Sequence, residues 1–230
     1  MDLALTDDQR MVLDALDSLC RPYEAAPIHD APLAAVSDAL ERELLEGGFL
    51  DVALDPDLGT VTAALVVERL ARLPYTAEVA LSMLLRPALD IELPRPFALV
   101  EHRRPGRFVT TARTLIVSDG ESIGIAHPRA GDVAPVDSIL AYPMGEIVGA
   151  LEVKPLADDV AAIVRTWLRV ACAAEIAGLM QAAIDATVEH LSVRRQFGRP
   201  LGTFQALRHR MAECAVLAGG VRRLALKAAW

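Results

Sequence analysis

Residues 192–207 read SVRRQFGRPLGTFQAL and set Arg194, Arg195 and Arg199 around Gly198 and Gly202, with Phe197 and Phe204 interleaved. From there on, Leu207, Met211, Cys214, Ala218, Val221 and Ala225 recur at alternating steps of four and three, the spacing of one helix face laid on a neighbour. Upstream, 158–191 opens on Asp158-Asp159, acids at the positive end of a helix, and is apolar nearly all round. The stretch is therefore a glycine-bearing turn between two long helices, which predicts a helical bundle as the C-terminal unit. Eight Lys and Arg face one acid, Glu213, from 192 onward. That is a local charge of +7 in a chain whose total is −8, so −15 falls on the first 191 residues. Positive charge gathered at a turn that opens a helix suits a phosphate-bearing ligand, because N-terminal amides and the helix dipole add to the side chains. A solvated basic helix face is the alternative reading of the same charges.

Working back to the start, Thr6-x-x-Gln9 is a capping box, and Met11, Val12, Leu16 and Leu19 give a helical stripe that Arg21-Pro22 ends. A loop over 23–31 follows. Leu33, Val36, Leu40, Leu44 and Leu45 predict a second helix, stopped by Gly47-Gly48. Residues 49–54 read as short and extended, 60–73 and 77–85 as apolar helices ending before Pro74 and Pro87. The pattern then changes: 97–100, 107–110, 114–117, 122–126, 139–142 and 146–149 are short β-like runs, with Pro105-Gly106 and Asp119-Gly120 as punctuation. Asp119-Gly120 is a hairpin signal. The whole predicts a mainly α chain with a small β domain: an N-terminal helical domain over 1–92, a reduced antiparallel β domain or partial barrel over 93–157, and a partial C-terminal helical bundle over 158–230. Gly219-Gly220 inside the last helix predicts a close helix crossing.

Composition narrows the function classes. Apolar residues make up 53% of 230, enough for a sizeable core, and the 4% of aromatics favours close-packed helices over a β-sandwich. A net −8 argues against nucleic acid as the main partner. Cys20, Cys172 and Cys214 are far apart and without C-x-x-C spacing, so they read as reduced core residues of a cytoplasmic protein, with no metal site expected. The acidic start, MDLALTDDQR, is not a secretory signal, and the most apolar run, 160–180, is broken by Arg165, Arg169 and Glu175, which predicts a buried helix rather than a membrane span. P-loop, H-E-x-x-H and G-x-S-x-G patterns are missing from the sequence, which removes nucleotide hydrolysis, zinc proteolysis and hydrolase chemistry.

The ordered string Arg194, Gln196, Phe197, Gly198, Leu201, Phe204, Gln205 and Leu207 resembles, position by position, the Arg-x-x-Phe-Gly signature between two C-terminal bundle helices of the acyl-CoA dehydrogenase family. Gly178-Leu179-Met180-Gln181, Ala212-Glu213 and the opening Leu5-Thr6-Asp7-Asp8-Gln9 add to the likeness. The resemblance implies FAD-dependent α,β-dehydrogenation of an acyl-CoA thioester, in which a carboxylate removes the α-proton and the flavin takes the β-hydrogen as hydride. It implies that Arg194 pairs with the FAD pyrophosphate of a neighbouring subunit, a planar fork on phosphate oxygens. Gln196 would hydrogen-bond nearby, and Phe197, Leu201, Phe204 and Leu207 would wall the cofactor; helix packing is the other reading of those four. It also implies an electron-transfer flavoprotein as acceptor and a homo- or hetero-oligomer as the working form.

Two departures bear on the chemistry. The family's Ser-Glu-Pro-x-x-Gly-Ser-Asp and Trp/Phe-Ile-Thr-Asn segments, which hold flavin within a subunit, have no counterpart in 93–157, and the Gly-rich loop near 55–59 is largely lost. The catalytic residue is unknown: the family's late Glu has no counterpart before Trp230, and the alternative position near the start of the long helix is Leu168, followed by Arg169. Leucine cannot take a proton. Glu175 is expected in an ion pair with Arg169 or Arg208, and His190 and His209 read as exposed histidines flanking the motif. The sequence thus predicts a subunit that lends its arginine motif to a flavin site shared with a partner, as in family members acting on sterol side-chain CoA thioesters. A self-sufficient homo-oligomer with its base beyond residue 230, or a flavin-free helical scaffold, are the alternatives. The helix over 81–85 and the loop to Pro94 are candidates to line a substrate channel.

Overall fold

The computed structural model of the chain describes residues 5–25, 36–89, 93–101, 104–139 and 142–230. The expected helix start at Leu33, most of the 23–31 loop, and Leu140-Ala141 of the expected 139–142 strand lie outside the described residues. Helix α1 (Asp7–Cys20) begins where the sequence predicts: Gln9 N–H donates to Thr6 Oγ1 at 3.2 Å while Thr6 N–H donates to Gln9 Oε1 at 3.0 Å. Pro22 carries the chain out through a 3-10 turn. Leu13, Leu16 and Cys20 are buried, and Gln9 Nε2 ties the helix at 2.9 Å to Thr62 of helix α3 (Gly59–Leu70).

Helix α2 (Asp38–Glu46) is capped by Ser37, which accepts from Leu40 N–H at 3.2 Å. Val36, expected inside this helix, instead bridges to Thr76 in parallel register. Residues Phe49–Leu54 form a 3-10 turn, not the expected extended run, and bury Phe49, Leu50, Val52 and Ala53. An extended segment sends alternate side chains to opposite faces, so it would have exposed two of the four. Turning at three residues brings both pairs inward. Helix α3 is buried on nearly every side.

Helix α4 (Ala80–Leu85) leads into the strands β1 (Phe97–Glu101), β2 (Gly106–Arg107), β3 (Thr114–Ser118), β4 (Ile123–Ala126), β5 (Val133–Pro135), β6 (Met144–Ile147) and β7 (Lys154–Pro155). One sheet runs β1-β3-β4-β7 and a second β2-β6-β5. The Asp119 hairpin forms as expected: Asp119 Oδ1 accepts from the amides of Glu121 at 3.0 Å and Ser122 at 2.7 Å. All the named pairings are antiparallel except β1–β3, which is parallel with Phe97 opposite Thr114. Parallel neighbours need a crossover, and the chain between them supplies it through β2. The expected 107–110 strand shrinks to Gly106–Arg107 because Phe108 turns at φ 61.

Strand alternation joins three layers. Phe97, Ile116, Ile123 and Ile125 enter the helical core, while Ala98, Val100, Leu115 and Ala126 meet Phe108, Val109 and Ala112 in a second core. Helix α5 (Asp158–Val193) spans the molecule and crosses α3 at Gly178, where a Cβ would collide with the Glu68 carbonyl oxygen and lie 2.8 Å from Ala71 Cβ. Strands β8 (Arg195–Gln196) and β9 (Arg199–Pro200) form a short hairpin, and helix α6 (Gln205–Ala229) returns along α5. The close crossing expected at Gly219-Gly220 does not occur within the chain: no atom of the described residues outside the local backbone comes within 4 Å of a Cβ at either position. The far half of the α5–α6 pair stands clear of the body, with Val188, Val193, Val216 and Leu217 exposed.

Candidate functional site

The arginine motif folds as a hairpin at the tip of that helix pair. Gln196 pairs with Arg199, and the two residues between them, Phe197 at φ 52 and Gly198 at φ 79, both lie in the left-handed region that a tight two-residue hairpin requires. The Leu201 amide donates to the Arg194 carbonyl at 2.8 Å and the Arg195 guanidinium to the Gly198 carbonyl at 3.2 Å, which closes the loop on itself. Phe197 is 89% exposed and meets Phe204 edge to face at 6.1 Å. Arg199 lies over the Phe204 ring, 4.1 Å from its centroid. Among the described residues Arg194, Arg199 and Arg208 have no carboxylate partner, and Phe204 caps α6 without a side-chain bond to the first-turn amides. The structure therefore brings Arg194, Gln196, Phe197, Leu201, Phe204 and Leu207 together on one outward tip. Leu201, Phe204 and Leu207 are half-buried, whereas Arg194, Gln196 and Phe197 face solvent. His190 and His209 are exposed beside them, with His209 within 3.5 Å of Gln205.

A second candidate lies in the body. Between α4, β1, β2 and α5 is a cavity of about 290 Å³ lined by Leu81, Leu99, Phe108, Leu168 and Cys172, with Glu101 and Arg104 also on its wall. Leu168, the position aligned with the family's alternative base, does face this space, and it offers no proton acceptor. Leu81 reaches it as expected of a channel helix, while 90–92 of the proposed channel loop lie outside the described residues. Glu175 is not paired with Arg169 or Arg208 as expected. Its carboxylate takes Arg107 in a two-pronged contact at 2.8 and 2.7 Å, and Tyr142 Oη stands 3.5 Å away. The Arg107 guanidinium carbon lies 4.5 Å from the Tyr142 ring centroid. The reason is reach: Arg169 is exposed on α5, whereas Arg107 lies on the strand facing Glu175.

Burial and charge tune this cluster. Burial alone would pull Arg107 down, but the Glu175 carboxylate beside it holds the guanidinium above its ordinary value. Burial, then Glu175, push Tyr142 up, as they do Cys172, so both stay protonated and neither is poised as a nucleophile. At the inner wall Glu78 is fully covered. Its carboxylate accepts the amides of Ser82 at 3.1 Å and Phe97 at 2.9 Å together with the Ser82 hydroxyl, which occupies both oxygens. Sequence reasoning overlooked Arg107 and Tyr142; the available signal was an arginine leading the otherwise apolar run Phe108-Val109. Among the described residues no group of three His, Cys, Asp or Glu is placed to hold a metal ion, and no helix is long and apolar enough to cross a membrane.

Residues 162–230 match the family model described as acyl-CoA dehydrogenase, C-terminal domain. The chain is similar to the probable acyl-CoA dehydrogenase YngJ of Bacillus subtilis, 40% identical over 62 residues, which is 27% of this chain and 16% of that one. The aligned part thus spans about a sixth of that curated relative's length. Over its full length the fold is similar to butyryl-CoA dehydrogenase from Megasphaera elsdenii, with a TM-score of 0.71, 19% identity and coverage of 100% of this chain and 80% of that one. It is equally similar to a chain of the ChsE4-ChsE5 complex from Mycobacterium tuberculosis, with a TM-score of 0.69, 21% identity, and coverage of 100% and 79%. The motif, the two helices that carry it and these matches agree: residues 162–230 are similar to the C-terminal domain of acyl-CoA dehydrogenases, and the chain as a whole has the fold of those enzymes.

Proposed function

We propose that the chain is a subunit of an FAD-dependent acyl-CoA dehydrogenase and completes a flavin site held by a partner subunit. The observation that carries this reading is the hairpin: unpaired Arg194 and Arg208, the uncapped start of α6 and an outward Phe197, all at a tip that points away from the chain's own cavity. Those residues fit a dinucleotide. Arginine forks and free first-turn amides suit a pyrophosphate, and exposed rings suit a flat heterocycle. FAD would supply the acceptor for the β-hydrogen, and this chain's residues would bind and orient it. Arg194 would neutralise phosphate, Gln196 would hydrogen-bond beside it, and Phe197, Leu201, Phe204 and Leu207 would exclude water.

In the body, Leu81, Leu99 and Leu168 would pack against an acyl group; of the three carboxylates on that wall, Glu175 is taken by Arg107 and Glu78 by its hydrogen-bond donors, while Glu101 has no ion-pair partner among the described residues. With leucine at position 168, the proton acceptor would come from the partner. An unlike partner is favoured because the intra-subunit flavin segments are missing from 93–157 while the outward motif is intact; the ChsE4-ChsE5 neighbour is itself a complex of two named chains. The test is a visible spectrum of the chain alone and co-expressed with a fuller homologue. Flavin bands only with the partner, lost in Arg194→Ala, are the expected result. Near-equimolar flavin on the chain alone would overturn the shared site in favour of a self-sufficient oligomer, and no flavin in either preparation would favour a scaffold.

A further inference from the structure

Helix α6 carries an ordered stripe on the side away from the body. Arg222 marks its inward direction by reaching Glu68 of α3, and Ala218, Ala225 and Ala229 are buried on the same side. Glu213, Leu217, Gly220, Leu224 and Lys227 fall within about 40° of the opposite direction at 3.6 residues per turn. Their steps of four, three, four and three are those of a seam that meets a second helix. Leu217 and Leu224 stand in solvent, as do Glu213 and Lys227. No atom of the described residues outside the local backbone comes within 4 Å of a Cβ at Gly220.

The stripe is laid out symmetrically about that glycine. Glu213 precedes it by seven residues and Lys227 follows it by seven; Leu217 precedes it by three and Leu224 follows it by four. Glu213 is the one acid of α6 and Lys227 its one lysine. Against a second α6 laid antiparallel and crossing at Gly220, each Glu213 is level with a Lys227, and each Leu217 is within one residue of a Leu224. Opposite charges then meet at both ends, with leucines between them. A parallel pairing in register would set Glu213 on Glu213 and Lys227 on Lys227, which repels. Glycine at the crossing lets the two backbones approach, which offsets its cost of about 1 kcal/mol against alanine within a helix. The contact of Glu213 with Arg210, at 3.2 Å one turn back, joins two exposed side chains and holds the carboxylate only weakly.

We propose that the outward face of α6 is a two-fold contact between this chain and a second copy of itself, antiparallel and centred on Gly220. The contact is separate from the arginine hairpin. Gly220 lies about 22 Å along α6 from Gln205, so the hairpin stays open to an unlike subunit, and the contact does not rest on the flavin reading.

The test is sedimentation equilibrium of the full chain over about 1–100 μM, since one helix face is smaller than the roughly 800 Å² per partner of a standard interface. A dimer is expected. Lys227→Glu should weaken it at least tenfold, and Glu213→Lys/Lys227→Glu, which restores opposite charges across the crossing, should recover it. Direction is read from disulfides in a Cys172→Ser/Cys214→Ser background. Copies with Leu217→Cys should cross-link to copies with Leu224→Cys. Leu217→Cys alone should not, because its two thiols would stand about 9 Å apart along the axis. The same mixture is repeated in complex with a fuller homologue. A chain that gives neither a dimer alone nor a mixed cross-link in the complex overturns the proposal, and so does a dimer indifferent to the charge variants. Leu217→Cys cross-linking to itself would overturn the antiparallel contact. Cross-links to the homologue in place of the second copy would assign the face to the unlike subunit and overturn the self-contact. Flavin retention, measured on the same samples, reads the hairpin separately.

Discussion

Arg222 of α6 and Glu68 of α3 meet across 154 positions of sequence, the guanidinium Nε lying 2.9 and 2.8 Å from the two carboxylate oxygens. Glu68 is 2% exposed and takes Arg72 as a second partner at 2.9 Å, from the turn just past the end of its own helix. A buried acid on an otherwise apolar helix is tolerated because two cations face it, and the contact fixes where the basic helix sits on the body. Breaking a buried pair from one side costs about 3–5 kcal/mol, but Arg222 is 43% exposed and water screens it, so about 1–3 kcal/mol is expected here. Arg222→Ala should lower the unfolding free energy by that amount, read as a lower urea midpoint at constant slope. A midpoint unchanged within error would show that the contact contributes nothing to stability.

The glycines of the two long helices make opposite predictions. At Gly178 an added methyl meets the Glu68 carbonyl, so Gly178→Ala should force α5 off α3 and cost about 1–3 kcal/mol as an overpacked crossing. At Gly219 and Gly220 the space is open, and alanine should gain about 0.5–1 kcal/mol each from helix propensity in the isolated chain. Thermal unfolding of the three variants reads both signs. If the chain's partner packs on this face of α6, the Gly219 and Gly220 variants should also weaken assembly, measured by sedimentation.

Those helices were also the most legible part of the sequence. The capping box at Thr6, the apolar run from Val160 and the turn at Gly198 are local signals, and local signals decide helices, caps and tight turns. The β1–β3 pairing was not legible, because alternation reports which face is buried and not which strand lies beside it or in which direction. Phe49–Leu54 misled for a related reason: six apolar-rich residues fit a strand or a turn until the core they fill is known. Of the candidate site, a glycine-bearing turn between two helices could be read from the sequence, whereas its two-stranded hairpin form could not. The partner of Glu175 could not, since Arg107 is 68 positions away and only tertiary packing brings the two together.

Stability should depend on pH through Glu78. Burial raises its carboxyl above the ordinary value, and the donated hydrogen bonds of Ser82 and Phe97 and the nearby Arg95 only partly oppose this. A raised folded-state value means the folded chain holds this proton more tightly than the unfolded chain. The contribution is therefore fully present below the ordinary Glu value of about 4.3 and is lost as pH rises through the raised one. Glu78→Gln cannot titrate, so its unfolding free energy should show a smaller decline over that window than the unaltered protein. Denaturant titrations at half-unit pH steps check this, and identical slopes for the two proteins would remove Glu78 as the titrating group.

Phe197 separates a local cost from an assembly role. A side chain in the left-handed region is unfavourable by about 1–2 kcal/mol, and this one hangs in solvent with only an edge contact to Phe204 to offset it. Nothing within the chain requires a phenylalanine at that position, since glycine would make the same tight turn without the strain. Phe197→Gly should therefore leave the isolated chain as stable as before or raise its midpoint, read by thermal unfolding. If the ring instead seats against a cofactor or a partner surface, the same variant should weaken flavin retention in the assembled protein at least tenfold, read from the flavin absorbance remaining after gel filtration. A gain in isolated stability with no loss in the assembly would leave the ring without a function and would count against the shared flavin site.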